Sequence, residues 1–334
     1  MPSELRRLIR RSLESTRLDG PVHLMKSIAL AHIPTKGAFP RFSEENVHLN
    51  TVRFSSLAEF DEWKESHSAW ISDCDREDQA ALVPGESSFA VPGYCAICGG
   101  TAEFVVTSDY GRLNKSGELT PNWREHMICP GCHLNNRMRA ALHLAIQDFN
   151  MAPDSRIYIT EQFGPLYRWL RGHFRHVQGS EYLLPGKPSG TRRFGINHQD
   201  VHALSLPTAS LDFLLSFEVL EHVPEPVAAF ESFATVLRPG GRLIMTVPFT
   251  LNKYETTVRA VMHGDGSIEH LMPIELHGNP TDPKNGSLCF RHFGWDTLER
   301  LADAGFTAAE ANVYHDRELG YLGGLQMLIS AVKA

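Results

Sequence analysis

Four cysteines of this chain form two pairs with the spacing of metal ligands. Cys95 and Cys98 enclose two residues, and Cys129 and Cys132 repeat this spacing later in the chain. A Cys-x-x-Cys turn directs two thiolates at one ion, and four thiolates suit tetrahedral zinc. Gly131, inside the second pair, permits the close backbone approach that such a turn needs. Because four protein ligands leave no open coordination position, we expect a structural zinc ion that holds a small module together.

Two other interpretations of these cysteines remain open at this point. They are four unrelated buried thiols, or a dithiol pair with a redox function. Cys74 and Cys289 stand alone in the sequence, and we interpret both as residues that bind no metal.

Length and composition indicate an ordinary globular protein. The chain has 334 residues, 42% of them apolar and 21% charged, which allows about two domains. Its formal net charge of −7 disfavours a surface that binds phosphate backbone throughout, although a local basic patch remains compatible with it. No apolar run approaches the length of a membrane span. The N-terminus lacks the apolar core of a signal peptide, so we expect a cytoplasmic protein.

The sequence divides into three regions that must position these candidate residues. We predict an N-terminal region of uncertain fold (residues 1–92), a four-cysteine zinc-binding module (residues 93–135) and an α/β domain (residues 136–334). Within the first region, the spacing of apolar residues predicts a short amphipathic helix at residues 5–13, a strand at 47–54 and a helix at 57–66. The amphipathic helix is interpreted as a docked terminal helix, with membrane-surface binding as the alternative.

From residue 156 onward, short apolar runs alternate with helical patterns. This alternation predicts a doubly wound, seven-stranded and mostly parallel α/β sheet with helices on both faces. The predicted strands are residues 157–160, 177–181, 195–201, 211–217, 242–247, 307–314 and 326–332, and the predicted helices are residues 136–149, 166–174, 226–237 and 295–304. The segment 249–293 is too long for an ordinary connection, and we interpret it as a lid or substrate loop.

Acidic residues follow two predicted strands, where a doubly wound sheet binds its ligands. Glu181 lies about twenty residues beyond the first strand, at the position that accepts hydrogen bonds from ribose hydroxyls. Asp200 suits an adenine amino group, and Val201 beside it can pack on the ring. Taken singly, each acid is equally compatible with a helix cap or a solvated charge. The order of the set along the chain is what favours a cofactor site.

The ordered set resembles the class I S-adenosylmethionine-dependent methyltransferases, in particular the methyltransferase type 11 group. The most specific pieces are residues 211–224 (LDFLLSFEVLEHVP) and 237–248 (LRPGGRLIMTVP), which are similar to that family's fourth- and fifth-strand signatures. The resemblance spans about residues 136–333 and includes a last helix and a closing antiparallel hairpin. It implies a Rossmann-like methyltransferase fold and S-adenosylmethionine as the cofactor.

The resemblance also implies which residues contact the cofactor. They are Glu161 and Gly164 in the first loop, Glu181 at the ribose, Asp200 and Val201 at the adenine, and Ser216 and Phe217 at the methionine part. The first loop departs from the family pattern of an acid followed by three alternating glycines, because residues 157–167 keep only Gly164. Glu161 would then hold the methionine ammonium, whereas a bulkier loop that has lost the cofactor would make the chain a non-catalytic binding protein.

Methyl transfer is a displacement at a sulfonium, so the protein must mainly align the reacting atoms. A hydroxyl or amine nucleophile is helped by a general base, and histidine has a suitable pKa. The segment 249–293 supplies His270, His277 and His292 as candidate catalytic bases, one of which we expect to contact the substrate. Glu/His pairs in the same segment have a second interpretation as ligands of another metal ion.

The negative net charge and the histidine-rich segment 249–293 favour a small or medium-sized metabolite as substrate, such as a sugar or a natural-product intermediate. The main alternative is RNA methylation, because zinc modules commonly hold RNA and several basic residues lie in or near this one. These residues are Arg112, Lys115, Arg124, Arg137 and Arg139. The sequence does not predict the oligomeric state.

Overall fold

The computed structural model describes residues 39–40, 47–114, 117, 119–183, 186–193, 195–279, 281–282 and 284–334. The predicted amphipathic helix at residues 5–13 and Lys115 lie outside the described residues. The helices are α1 (Leu57–Ser66), α2 (Ser68–Ala80), α3 (Trp123–His126), α4 (Asn136–Gln147), α5 (Pro165–His173), α6 (Pro226–Val236) and α7 (Asp296–Asp303), with a 3-10 turn at Leu220–His222.

The strands are β1 (Thr51–Phe54), β2 (Ser88–Cys95), β3 (Gly100–Thr107), β4 (Arg112–Leu113), β5 (Leu119–Thr120), β6 (Met127–Ile128), β7 (Arg156–Ile159), β8 (His176–Gly179), β9 (Arg192–Arg193), β10 (Ile196–Asn197), β11 (Leu211–Phe217), β12 (Leu237–Thr246), β13 (Thr257–Val258), β14 (Ala260–Met262), β15 (Ile268–His270), β16 (Leu276–His277), β17 (Ser287–Leu288), β18 (Arg291–His292), β19 (Phe306–Asp316) and β20 (Tyr321–Lys333). Among the described residues, no helix is both long enough and apolar enough to cross a membrane.

The central sheet has seven strands in the order β1-β19-β20-β12-β11-β7-β8. Strands β8, β7, β11 and β12 pair in parallel, whereas β20, β19 and β1 pair antiparallel. The prediction of a mostly parallel sheet is therefore wrong, and the sheet is mixed. The cause is the closing hairpin, in which a short turn leads from β19 straight back into β20. With helices on both faces, the architecture is a Rossmann-like α/β fold.

The predicted strand at residues 195–201 does not join this sheet. Only Ile196–Asn197 forms a strand, paired with Arg192–Arg193, and an isolated bridge joins Glu181 to His198. The polar side chains here bond to nearby loop residues instead: the Leu183 amide donates to His198 Nδ1, for example. Such local bonds compete with sheet formation.

The seventh strand comes from the N-terminal side. Strand β1 pairs with β19 in antiparallel register, from Thr51 opposite Tyr314 to Phe54 opposite Ala311. Helix α1 follows directly, and Ser56 caps it by accepting from the Glu59 amide. Residues 51–54 thus lie in the same sheet as residues beyond 136. The division into three regions itself stays a prediction.

Successive side chains along each strand point to opposite faces of the central sheet, and a hydrophobic core lies on each face. Ile157 and Ile159 of β7 pack into the core that α4 and α5 cover. Tyr158, between them, packs into the opposite core, which contains residues of α1, α6 and α7.

The cysteine module, defined here as residues 88–135, contains a three-stranded antiparallel sheet in the order β2-β3-β6. Its buried Phe104 and Trp123 belong to the same core as α4 and β7. The module is therefore packed onto one face of the central sheet through continuous apolar contact.

Candidate cofactor and metal sites

The four predicted zinc ligands converge on one point. Cys95 Sγ lies 3.9 Å from Cys132 Sγ, and Cys98 Sγ lies 3.7 Å from Cys129 Sγ. All four sulfurs lie within 4.8 Å of one another. Sulfurs at a Zn–S distance of about 2.3 Å on a tetrahedron are separated by roughly 3.8 Å. The cluster has the size and donor chemistry that a zinc ion requires.

The backbone turns of the module explain how these sulfurs meet. The amides of Cys98 and Gly99 both donate to the Cys95 carbonyl, which closes the first turn between β2 and β3. A Cβ on Gly131 would lie 2.9 Å from Cys98 Sγ, so the second turn needs glycine at this position.

Two partly buried carboxylates, Glu161 in the first loop and Glu181 beyond β8, lie at the carboxyl ends of adjacent strands. Glu161 follows β7, and its Oε1 is buried without a hydrogen-bond partner among the described residues. Burial raises the pKa of Glu161 to about 7. The side chain folds over Gly164, where a Cβ would lie 2.6 Å from Glu161 Oε1. This close approach of the Glu161 side chain explains why the loop keeps a glycine at position 164.

Glu181 ties the same loop to β8. Its Oε1 accepts hydrogen bonds from the amides of Gln162 and Phe163, at 2.6 and 2.9 Å. Burial raises the pKa of Glu181 to about 7 as well, and these two amides oppose that rise. The loop thus places Glu161 and Glu181 side by side at the carboxyl ends of two parallel strands, where ligands of open α/β sheets bind.

Ser216 and Phe217 lie at the carboxyl end of β11, both buried. Thr160, which follows β7, donates through Oγ1 to Ser216 Oγ at 3.3 Å. The next residue, Glu218, has a φ of 52°, a left-handed conformation that breaks the strand at this edge. The predicted methionine-side residues therefore neighbour the first loop.

Asp200 and Val201 lie in the loop beyond β10 and not at the end of a sheet strand. Asp200 Oδ1 accepts from the amide and from Nδ1 of His202, at 3.0 and 2.8 Å. Val201 is half-buried and packs against the second core. The bridge between Glu181 and His198 holds this loop next to β8. The structure thus places the predicted adenine-side residues on the Glu181 side of the site.

A partly buried network of charges joins the cysteine module to this edge of the sheet. Arg137 donates to both oxygens of Glu125 at 2.8 and 2.9 Å, and Arg124 donates to Glu125 and Glu218 at 2.6 Å each. Burial alone would raise the pKa of Glu125, but Arg137 and Arg124 hold it at about 2. The Arg137 guanidinium also lies 5.8 Å from the centre of the Phe217 ring.

Sequence reasoning missed Arg137 as a residue of this site. A weak signal was present, since Arg137 and Arg139 lie at the start of a mostly apolar stretch, which the structure buries on nearly every face of α4. Charged side chains at such positions are rare unless they are paired.

Most of the basic residues that were predicted to contact RNA do not lie on the protein surface. Arg124 and Arg137 form the network above, and Arg139 is fully buried, donating to the carbonyls of Leu319 and Gly320. Of the proposed basic residues that the structure describes, Arg112 alone is exposed. The interpretation of these arginines as a contact patch is therefore wrong.

Two of the three predicted catalytic histidines come together in the segment 249–293. His277 Nε2 and His292 Nε2 lie 2.9 and 2.8 Å from Glu275 Oε1. His270 lies apart on the exposed hairpin of β14 and β15. Cys289, interpreted from sequence as a residue that binds no metal, lies beside both clustered imidazoles.

The cluster lies against the end of β11. Glu221, in the 3-10 turn after β11, is fully buried, and His277 Nδ1 lies 3.5 Å from its Oε1. The neighbouring Cys289 thiol and then the Glu221 carboxylate raise the pKa of His277 to about 11. In this arrangement His277 holds its proton near neutral pH, and its role as a base stays a prediction.

Comparison with known proteins associates part of the chain with methyltransferases. Residues 169–245 match a family model described as a methyltransferase domain. A ubiquinone biosynthesis O-methyltransferase of Xanthomonas oryzae is 36% identical over 70 residues, which cover 21% of this chain and 28% of that protein. The chain thus matches less than a third of the length of this curated relative.

Solved structures give weaker similarities. An S-adenosylmethionine-dependent methyltransferase of Mesorhizobium loti is 19% identical with a TM-score of 0.36, covering 58% of this chain and 98% of that one. A 1,6-didemethyltoxoflavin N1-methyltransferase of Burkholderia thailandensis, bound to S-adenosylhomocysteine, is 19% identical with a TM-score of 0.35, covering 59% and 77%. The sequence match, and not these superpositions, makes residues 169–245 similar to methyltransferase domains.

Proposed function

We propose that this protein is an S-adenosylmethionine-dependent methyltransferase that acts on a small or medium-sized metabolite. The observation that carries the proposal is the pair of partly buried carboxylates with raised pKa values, Glu161 and Glu181, at the carboxyl ends of adjacent parallel strands. Glu161 Oε1 is buried without a donor, which is costly, and a ligand ammonium would supply one. Glu181 already accepts from two backbone amides, and ribose hydroxyls would add to these.

Bound S-adenosylmethionine would supply an activated methyl group on its sulfonium. Glu161 would hold the methionine ammonium, and Gly164 would leave room for that carboxylate. Glu181 would accept from the ribose hydroxyls, while Ser216 and Phe217 would line the methionine side. Asp200 and Val201 would contact the adenine. Support for the methionine and ribose roles comes from the positions of their residues at or just after the carboxyl ends of β7, β8 and β11, whereas the adenine residues lie in the loop beyond β10.

The substrate would lie between the end of β11 and the segment 249–293. Among His270, His277 and His292, the latter two are better placed to contact it. His277 lies against Glu221 in the turn after β11, and His292 shares Glu275 with it. One of the three would accept a proton from a hydroxyl or amine nucleophile, and His277 could do so only after losing the proton that it holds near neutral pH. We also propose that Cys95, Cys98, Cys129 and Cys132 hold a structural zinc ion, and that the protein is cytoplasmic, where such thiols stay reduced.

The proposal is tested by calorimetry of the zinc-loaded protein with S-adenosylmethionine and S-adenosylhomocysteine. Saturable binding of both at one site per chain is expected. Absence of binding would favour a non-catalytic protein with an altered first loop. RNA is added in parallel, and affinity that falls steeply with salt would favour an RNA substrate instead.

Replacing Glu181 with alanine is expected to weaken cofactor binding with the fold intact. The lost hydrogen bonds involve a charged acceptor and are worth about 1.5–3 kcal/mol, or roughly ten- to hundredfold in affinity. Calorimetry of Glu181→Ala measures this, with Glu65→Ala, at an exposed position of α1, as the control. Unaltered affinity in Glu181→Ala would mean that the ribose binds elsewhere.

Cofactor affinity is expected to fall as the pH decreases from 8 to 6. The pKa of Glu161 in the free protein is about 7, so its ionised fraction drops about tenfold over this range. Only the ionised carboxylate can pair with an ammonium, and the dissociation constant should rise by at least that factor. The Glu161→Gln variant should bind more weakly at pH 8 and show a shallower dependence, since Glu181 still titrates. A wild-type affinity that is flat with pH contradicts this role of Glu161.

A further inference from the structure

We propose that the segment 249–293 carries a second metal site, in which Cys289, His292 and Glu275 hold one divalent ion of the zinc class with an open coordination position. The thiolate, the imidazole and the carboxylate each supply one donor atom. This site is separate from the four-cysteine cluster and uses a cysteine that has no pair in the sequence.

The three donor groups are brought together by the backbone of the segment. Cys289 follows β17, His292 lies in β18, and Glu275 precedes β16. The Cys289 amide donates to the Glu275 carbonyl at 2.9 Å, which fixes these two chain positions against each other. One ligand atom of each residue lies within 4.8 Å of the other two.

The donor set matches what zinc accepts. Cysteine, histidine and glutamate bind it at about 2.0–2.3 Å, so donors on a tetrahedron lie roughly 3.3–3.7 Å apart. His292 Nε2 and Glu275 Oε1 are 2.8 Å apart as a direct hydrogen bond. An ion would replace the shared proton and widen this distance by less than 1 Å, within the reach of side-chain rotation.

The surroundings of these ligands are arranged as around a metal. His277 Nε2 lies 2.9 Å from Glu275 Oε1, and Arg259 lies 3.1 Å from Glu275 Oε2, so both oxygens of the carboxylate are oriented. Such outer partners fix the geometry of metal ligands in known sites. His277 in turn faces Glu221 through Nδ1.

Glu221 gives an independent reason to expect a cation here. Its side chain is fully buried, and neither oxygen has a hydrogen-bond partner among the described residues. The imidazoles of His222 and His277 lie near it at 3.6 and 3.5 Å, beyond hydrogen-bond distance. A buried carboxylate held only by such contacts is expensive, and a divalent ion in the neighbouring cluster would offset its charge.

Three protein ligands leave one tetrahedral position open, as in catalytic zinc sites. The Phe290 amide donates to the Glu221 carbonyl at 2.7 Å, which places the cluster directly beyond the end of β11. On the substrate side of the proposed methyltransferase, the open position would take a substrate oxygen and lower the pKa of a hydroxyl nucleophile. This catalytic role rests on the proposed function, whereas the metal site itself does not.

Metal content of the full chain, measured by elemental analysis after zinc loading and gel filtration, tests the proposal. The wild type is expected to hold two zinc ions per chain. Cys289→Ser and His292→Ala should each hold one, and Cys95→Ser should retain the ion of the second site. Cys74→Ser, which alters a buried cysteine outside both clusters, should hold two.

A variant with a partial expected effect distinguishes a metal site from a cluster that is held together only by hydrogen bonds. His277→Gln removes an outer partner and should weaken zinc binding at this site about 10- to 100-fold while leaving the four-cysteine ion in place. The proposal is wrong if the wild type holds a single ion, or if Cys289→Ser and His292→Ala both keep two. Cofactor binding is measured separately by calorimetry, so the metal site and the proposed function can fail independently.

Discussion

The Cys95→Ser variant is expected to lose the zinc ion of the four-cysteine cluster and to unfold at a markedly lower temperature. Cys95 is fully buried at the end of β2, and loss of a structural metal ranks among the most destabilising changes, with an expected cost of about 4 kcal/mol or more. Elemental analysis and thermal unfolding measure the two effects. Cys74→Ser is the matched control, because it makes the same substitution at a buried cysteine outside the cluster.

The loss of zinc should also weaken cofactor binding. The cysteine module shares a core with β7, and Glu125 in the module contacts Arg137 beside Phe217. We therefore expect cofactor affinity to fall at least tenfold in Cys95→Ser. Unchanged zinc content would refute the zinc site. Zinc loss with unchanged cofactor affinity would mean that the module and the sheet are energetically independent.

The parts of the fold that could be predicted from sequence are those with strong local patterns. Strand β11 occupies the predicted residues, because seven consecutive positions are dominated by buried apolar side chains. Helix α6 begins at Pro226, a favourable first helical residue, and α1 begins after the capping Ser56. The four cysteines were predictable because a Cys-x-x-Cys turn encodes its own geometry.

The parts that could not be predicted depend on contacts between distant residues. Strand β1 joins the sheet because β19 presents an open edge to it, and nothing near Thr51 in the sequence indicates that pairing. The clustering of Cys289 with His292 and Glu275 likewise depends on how the short strands of the segment 249–293 fold back on each other. Local patterns carry no information about such long-range register.

The interpretation of Arg137 as a residue that contacts RNA failed for a related reason. Its neighbours in the sequence do not reveal that it pairs with Glu125. In the structure it is 5% exposed and pairs with a carboxylate twelve residues earlier. A buried ion pair adds little stability overall, but removing one partner leaves the other charge uncompensated.

The Arg137→Met variant is therefore expected to be strongly destabilised, by about 3 kcal/mol, when unfolding is measured in denaturant at neutral pH. It should also bind the cofactor more weakly. Burial raises the pKa of Glu161 and Arg137 opposes that rise, so without Arg137 the carboxylate is less ionised at pH 7. Calorimetry measures this second effect.

Two comparisons identify the cause of these losses. If the uncompensated charge of Glu125 is responsible, the double variant Arg137→Met with Glu125→Gln should recover part of the stability, with a coupling energy of about 1–3 kcal/mol. Arg139→Met removes an equally buried guanidinium two residues along, but one that donates to backbone carbonyls. It should reduce stability and leave cofactor affinity nearly unchanged. Equal loss of affinity in both single variants would mean that α4 packing, and not the charge of Arg137, supports the cofactor site.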